Sequence, residues 1–241
     1  MRKIKLHQNL LISLSDKSDG NIDYRFSPKA EVKSNRHKIF KYLNLSTQVV
    51  EVEQIHGSQV SFIDQKTAIK FPGKQIPKSD GMVTNLTKSA LMIRLADCIP
   101  IVLYDPQNHA VGLIHAGWRG AIQKIHLHAI IKMTNHFNSK PTKLKAWLGP
   151  ALQSCCYTTN KPPTQRVLPE WQSFISQKNK TWHIDYPGSV IDSLINVGVN
   201  KTNIVNSNQC TGHDKKQWFS YQRHKKTNES DGRFVVIVKL L

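Results

Sequence analysis

The sequence predicts an α/β fold, a single layered α-β sandwich domain spanning residues 1–241 and built on a mixed sheet. Three observations point there. Strand-length runs of β-branched and apolar residues recur along the chain, the stretch after residue 120 carries helical periodicity, and no composition shift, repeat or low-complexity segment divides the 241 residues. With 39% hydrophobic and 21% charged residues, the chain can bury a substantial core without disulfides or a structural metal.

Residues 49–52 and 60–63 read as short strands on either side of a turn from Gln54 to Ser58, with Gly57 marking the break. Residues 70–80, with Pro72, Gly73, Pro77 and several lysines, read as a surface loop leading to a turn at Asp80-Gly81. Residues 90–95 and 99–104 are strand-length runs interrupted at Ala96-Asp97-Cys98, and residues 111–114 form a strand that delivers His115 into a glycine-bracketed turn. Between 121 and 137, Ile122, Ile125, Ala129, Ile130, Met133 and Phe137 recur at helical steps and predict one amphipathic helix. Further on, 145–148 reads as a strand entering Gly149-Pro150, 189–197 as a helix ending near Gly198, 204–205 as a restart of strand, and 233–241 as a buried final strand.

The apolar stretch near the N-terminus is too short for a secretory leader, and no run reaches membrane-spanning length. Four cysteines, two of them adjacent, make no disulfide framework, so a reducing cytoplasm is the expected location. A net charge of +18 invites a nucleic-acid partner, but the basic residues are dispersed and match no nucleic-acid module. A solvated basic face, or attraction of phosphate-bearing small substrates, accounts for the charge instead.

Three strand-end motifs carry the chemistry: Gln54-Ile55-His56-Gly57, Ala96-Asp97-Cys98-Ile99-Pro100 and His115-Ala116-Gly117-Trp118-Arg119-Gly120. Two imidazoles and a thiolate suit a borderline-soft ion such as Zn²⁺, and three protein ligands leave a fourth position open, as in catalytic sites. Spacing alone is weak support, since only the fold could gather residues so far apart. A free cysteine also packs as a small hydrophobe. Asp97 and Cys98, however, interrupt an apolar segment where a charge needs a partner or a role. Asp97 could orient a metal-bound histidine, carry a proton, or cap the turn. After His115, a helix N-terminus favours anions and Arg119 adds positive charge, making phosphate a natural guest; a surface ion pair is the alternative role for Arg119. Arg36 and Arg223 are weaker phosphate candidates, with structural roles equally open. Cys155, Cys156 and Cys210 are expected to pack in the interior, and His213 to lie on the surface or a helix face.

These motifs, together with Ser79-Asp80-Gly81-Met82-Val83-Thr84, Leu148-Gly149-Pro150, Cys155-Cys156-Tyr157, Gln209-Cys210-Thr211, Trp218-Phe219-Ser220-Tyr221 and Gly232-Arg233, closely resemble the YfiH/laccase-domain family, also called multicopper polyphenol oxidase or peptidoglycan editing factor. The match runs from about Asn35-Arg36 to the C-terminus, with the motifs in order. The resemblance implies a four-layer α/β sandwich and a zinc site carried by His56, Cys98 and His115. It also implies purine nucleoside phosphorylase activity on adenosine and inosine, with adenosine deaminase and methylthioadenosine phosphorylase activities. The chain departs from the pattern at Ala151, where a second cysteine often follows Gly-Pro, at Gln222, where Ser-Tyr-Arg-Arg is usual, and before Asn35, where a glycine-rich stretch is common.

Multicopper oxidation needs many histidines in His-x-His pairs. Among 11 histidines this chain has one such pair, His126 and His128, and residues two apart on a helix face nearly opposite ways. One copper in the three-ligand site remains compatible with polyphenol oxidation. A further alternative is a Cys98-based hydrolase, for example in peptidoglycan editing, with a histidine as base and the metal incidental. The expected partners are purine nucleosides and phosphate, and a non-enzymatic basic binding module is the remaining reading.

Overall fold

The computed structural model describes residues 1–45, 48–70 and 75–241. In chain order the elements open with β1 (Arg2–Ile4), β2 (Leu10–Leu14), α1 (Lys29–Tyr42), β3 (Gln48–Val52), β4 (Val60–Phe62), α2 (Gln65–Lys70), β5 (Gln75–Ile76) and β6 (Gly81–Thr84). The central part is β7 (Ser89–Leu95), β8 (Ile99–Asp105), β9 (Ala110–Ala116), α3 (Trp118–Ile122), α4 (Ile125–Phe137), β10 (Lys145–Leu148) and β11 (Thr158–Thr159). The chain finishes with β12 (Ile175–Lys178), β13 (Thr181–Ile184), α5 (Tyr186–Asn196), β14 (Ile204–Asn206), α6 (Tyr221–Thr227) and β15 (Phe234–Leu240).

Two six-stranded mixed sheets result, ordered β1-β2-β15-β7-β3-β5 and β14-β10-β8-β9-β6-β4, with a small antiparallel sheet β11-β13-β12 beside them. Strand alternation sorts the side chains into layers. Leu91, Ile93 and Leu95 of β7 meet Val102, Tyr104, Val111 and Leu113 of β8 and β9, so the large sheets pack face to face. The opposite face of the first sheet, with Ala90, Met92, Val235 and Ile237, packs on Ile39 of α1. The opposite face of the second, with Ile99, Ile101, Leu103 and Ile114, packs on Ile130 and Met133 of α4 and Val190 and Leu194 of α5. Helix, sheet, sheet, helix is the four-layer arrangement.

Some elements differ from the sequence-based expectation. The single helix expected over 121–137 is two, because Lys124 adopts a left-handed conformation (φ 58°) that ends α3 and starts α4. Part of the loop expected over 70–80 is strand: β5 pairs parallel with β3 and buries Ile76 in the inter-sheet core. Two residues are too few for a period. The remainder of that stretch, 71–74, lies outside the described residues. Helix α1 escapes pattern reading because only Val32 and Ile39 of its 14 residues are buried. Among the described residues, no helix is long and apolar enough to cross a membrane.

In α4, His126 is buried against α5, its Nε2 sharing a 2.8 Å hydrogen bond with Ser193 Oγ, and burial holds its imidazole down to about 4. A histidine whose folded value lies below its unfolded 6.5 leaves stability intact above pH 6.5 and costs progressively more down to about pH 4. We expect a loss of roughly 3 kcal/mol across that window, measured by denaturant unfolding at pH 7 and pH 4, and a much shallower loss in His126→Gln.

Candidate metal centre and active-site cavity

The chain changes sheets three times at one end of the sandwich, and one of these crossings, residues 77–80 between β5 and β6, carries Asp80. After β3 it leaves the first sheet through residues 53–59 to reach β4 in the second, and Ala96-Asp97-Cys98 carries it from β7 in the first to β8 in the second. His115 lies near the end of β9 at the same seam. The break that Asp97 and Cys98 make in the apolar run is therefore a sheet crossing. Its sharpness needs a left-handed residue at Asp97 (φ 85°), and the crossing after β3 needs one at His56 (φ 61°). Non-glycine residues hold such conformations only where their surroundings enforce them.

Asp80 is the enforcer at His56. Its fully buried carboxylate accepts the backbone N–H groups of Ile55 (3.2 Å), His56 (2.9 Å) and Gly57 (2.7 Å). It also takes a 2.8 Å hydrogen bond from His115 Nδ1; since an ionised carboxylate only accepts, Nδ1 carries the proton. Burial would push the Asp80 carboxyl up, but the His115 contact and the amides of Gly57 and His56 outweigh it and hold it below the usual range. Fixing Nδ1 turns His115 Nε2 toward the seam as a ligand atom.

One ligand atom from each of His56, Cys98 and His115 lies within 4.8 Å of the other two. Donors on one tetrahedral zinc sit roughly 3.3–3.8 Å apart, so a small closure suffices. Burial pushes the Cys98 thiol up, yet the His115 charge and hydrogen bonds from His115 and His56 prevail and bring it down to about 6. Reciprocally, burial lowers His115, but the Cys98 thiolate and Asp80 raise it to about 9. Each group therefore favours the charged form of the other. Sulfur is thus ready to ligate, and both imidazoles carry nitrogen donors, so the donor set fits a borderline-soft ion.

The glycines of the third motif serve close approach. A Cβ on Gly117 would lie 2.7 Å from His56 Cδ2, and one on Gly120 would lie 2.6 Å from the Gly57 carbonyl oxygen. They seat α3 against the His56 turn. The helix expected to follow His115 starts at Trp118, but it is the five-residue α3, which stops before the left-handed Lys124.

His56, Cys98 and His115 line a cavity of about 340 Å³, together with Asp97, Trp118, Arg119, Tyr157, Tyr186, Tyr221, Gln222, Arg25, Arg94 and Arg233. Asp97 does not orient a histidine: its Oδ1 accepts from Thr211 Oγ1 (2.6 Å) and its Oδ2 from the Gln222 N–H (2.7 Å). The second bond uses backbone, so it does not depend on which side chain stands at 222. Burial raises the Asp97 carboxyl above its usual range despite those donors. Tyr157 and Tyr186 pack edge to face at 5.9 Å, and burial raises both phenols, so they remain neutral walls.

Two expected phosphate ligands are committed elsewhere. Arg36 is forked onto Glu51 (2.7 and 2.9 Å) and donates to the Ile22 carbonyl. Arg223 is held by Glu229 and by the carbonyls of Thr211, Gly212 and Trp218. Neither lines the cavity. Three arginines that were not among the expected phosphate ligands do: Arg25 and Arg94 pair with Asp23, and Arg233, named only within a motif, with Asp231. Arg119 stands apart, exposed, stacked on Trp118 at 4.3 Å, and without a carboxylate partner among the described residues. Arg94 could have been found as Asp97 was, being the charge in an otherwise apolar strand. Asp80 carried a turn signal and a place in the Ser79-to-Thr84 motif, neither of which assigns it a role at the site.

Fold and site define a four-layer α/β protein in which two histidines and a cysteine gather at the sheet crossings beside a cavity. The chain belongs to the family described as multi-copper polyphenol oxidoreductase laccase, whose model matches residues 18–241. It is 30% identical over 203 residues to a purine nucleoside phosphorylase of Corynebacterium glutamicum, covering 83% of this chain and 80% of that protein. It is 26% identical over 222 residues to the purine nucleoside phosphorylase YlmD of Geobacillus stearothermophilus, covering 87% and 79%. The fold is shared with the crystal structure of Bacillus licheniformis YfiH (TM-score 0.82, 23% identity, 96% of this chain and 93% of that one). It is shared too with that of Geobacillus stearothermophilus YlmD (TM-score 0.81, 22% identity, 98% and 94%).

Proposed function

We propose that this chain is a zinc-dependent purine nucleoside phosphorylase that splits adenosine and inosine with phosphate. The observation that carries the reading is the meeting of His56, Cys98 and His115 at the wall of a cavity that also holds aromatic faces and Arg119, which has no carboxylate partner among the described residues. The names of the relatives support the same reaction class. The volume is of small-molecule size, which favours nucleosides over nucleic acid.

His56, Cys98 and His115 would hold the ion, which when bound supplies Lewis acidity toward an oxygen ligand. The remaining work falls to the chain's own residues. Trp118, Tyr157, Tyr186 and Tyr221 offer faces for a purine base. Arg119 would hold phosphate so that one of its oxygens bonds to the ribose C1′ as the bond from C1′ to the purine nitrogen breaks. Asp97, with its raised carboxyl, is the proposed proton carrier to the leaving base. We extend the proposal to methylthioadenosine, and to deamination, in which water replaces the C6 amine of adenosine and ammonia leaves. A reducing, cytoplasmic setting suits the four free cysteines.

Product identification from adenosine plus phosphate tests the reading: adenine and ribose 1-phosphate are expected, inosine or hypoxanthine would reveal deamination, and no turnover would overturn it. In Arg119→Ala we expect KM for phosphate to rise roughly 10- to 100-fold with KM for adenosine little changed, as loss of a charge-assisted contact of about 1.5–3 kcal/mol dictates.

A second reading has one observation behind it. The Cys98 thiol, brought down to about 6, is also suited to nucleophilic attack as a hydrolase. Chelation separates the two: removal of the ion should abolish phosphorolysis and restoration of zinc should return it, whereas a cysteine hydrolase would persist or gain. Copper in the same centre would support polyphenol oxidation at a single ion. A multicopper cluster is less well served, because His126 faces Ser193 while His128 bonds the Ser58 carbonyl.

A further inference from the structure

We propose that Cys155, Cys156, Cys210 and His213 form a second metal site, separate from the catalytic centre, that takes a borderline-soft divalent cation such as Zn²⁺ and clamps two walls of the cavity. Interior packing was expected of these cysteines, yet Cys155 is exposed and Cys156 and Cys210 only half-buried. Their sulfurs are gathered: Cys155 Sγ lies 3.8 Å from Cys156 Sγ and 3.6 Å from Cys210 Sγ. His213 is close as well, one ligand atom from each of Cys155, Cys156 and His213 falling within 4.8 Å of the others. Two sulfurs bound about 2.3 Å from one tetrahedral zinc must sit about 3.8 Å apart, so Cys155 already stands at ligand spacing from each of the other two thiols, and Cys210, outside the 4.8 Å group, has to close on His213. Soft sulfur donors select zinc over calcium or magnesium.

The site is prepared by backbone. Cys155 and Cys156 occupy one turn, while Cys210 and His213 bracket another with Cys-x-x-His spacing. The two segments are tied by the Ala151 N–H to the Gln209 carbonyl and the Thr211 N–H to the Ala151 carbonyl, both 3.1 Å. A Cβ on Gly212 would lie 2.7 Å from Cys156 Cβ, so the second turn can approach only with glycine there. Three thiolates and an imidazole complete a four-ligand set and leave no position for substrate, which makes the site structural. Its placement gives the ion something to hold. Leu152 and Tyr157 flank the first turn and line the cavity, and Thr211 in the second holds Asp97 beside Cys98. An ion joining the turns fixes these walls relative to each other.

The full-length protein, stripped of metal under reductant and re-equilibrated with zinc, should hold two ions per chain by elemental analysis. Cys155→Ser and His213→Gln change exposed residues and should each lower the count toward one with the circular dichroism spectrum retained. His115→Ala should keep one ion, and cobalt in that variant should show sulfur-to-metal charge-transfer absorption of several thiolates, lost on adding Cys155→Ser, whereas absorption that survives Cys155→Ser would place the ion on Cys98 and overturn the proposal. The proposal is overturned if the parent binds one zinc and His115→Ala binds none, or if Cys155→Ser binds as much as the parent. It is also overturned if the reduced protein takes no second ion while peroxide treatment simply removes two hydrogens by joining Cys155 to Cys210.

Discussion

His115→Ala is expected to lower kcat/KM for adenosine phosphorolysis by at least about 100-fold and to empty the catalytic centre, since loss of a ligand exceeds the roughly 10- to 100-fold effects typical of groups that merely orient one. In the proposed reading His115 is a donor to the ion, and its Nδ1 is the contact that ties it to Asp80. The measurement is steady-state kinetics with adenosine and phosphate, paired with metal content. Full activity in this variant would remove the central role given to His115, and retained activity with lost metal would favour the Cys98 hydrolase.

Asp80→Ala should have the largest effect on stability. Three backbone N–H groups converge on its carboxylate, and a fourth bond comes from a buried imidazole. Removing one partner of a buried, hydrogen-bonded charge pair costs about 3–5 kcal/mol. At this chain length the melting temperature should fall roughly 10 °C, measured calorimetrically at pH 7. The left-handed turn at His56 loses its support at the same time, so zinc affinity should drop about 10- to 100-fold. A variant with native melting and native zinc affinity would show that the His56 turn holds itself.

The resemblance to a family and the central strands were legible because their signals are local. Residues 90–95, 99–104 and 111–114 carry enough apolar side chains to read as strands within a few residues. Cys98 and Asp97 stood out because polar groups interrupt an apolar run only for a reason. Elements with little to bury were not legible: α1 offers two buried side chains and β5 a single pair of residues, so neither builds a period.

Within the site, residue type along the chain selected His56, Cys98 and His115, since imidazole and thiolate chemistry belongs to the side chain wherever it stands. Which carboxylate would support them was decided by the fold. Asp97 adjoins Cys98 in sequence, yet its carboxylate faces Thr211 and Gln222, while Asp80, distant along the chain, reaches both histidine segments. The same holds for the arginines: Arg36 and Arg223 are consumed by neighbours that only packing brings near, and Arg25, Arg94 and Arg233 arrive at the cavity from three separate segments. Donor chemistry is written in each residue, whereas partnership depends on distances set when two sheets and their crossings pack together.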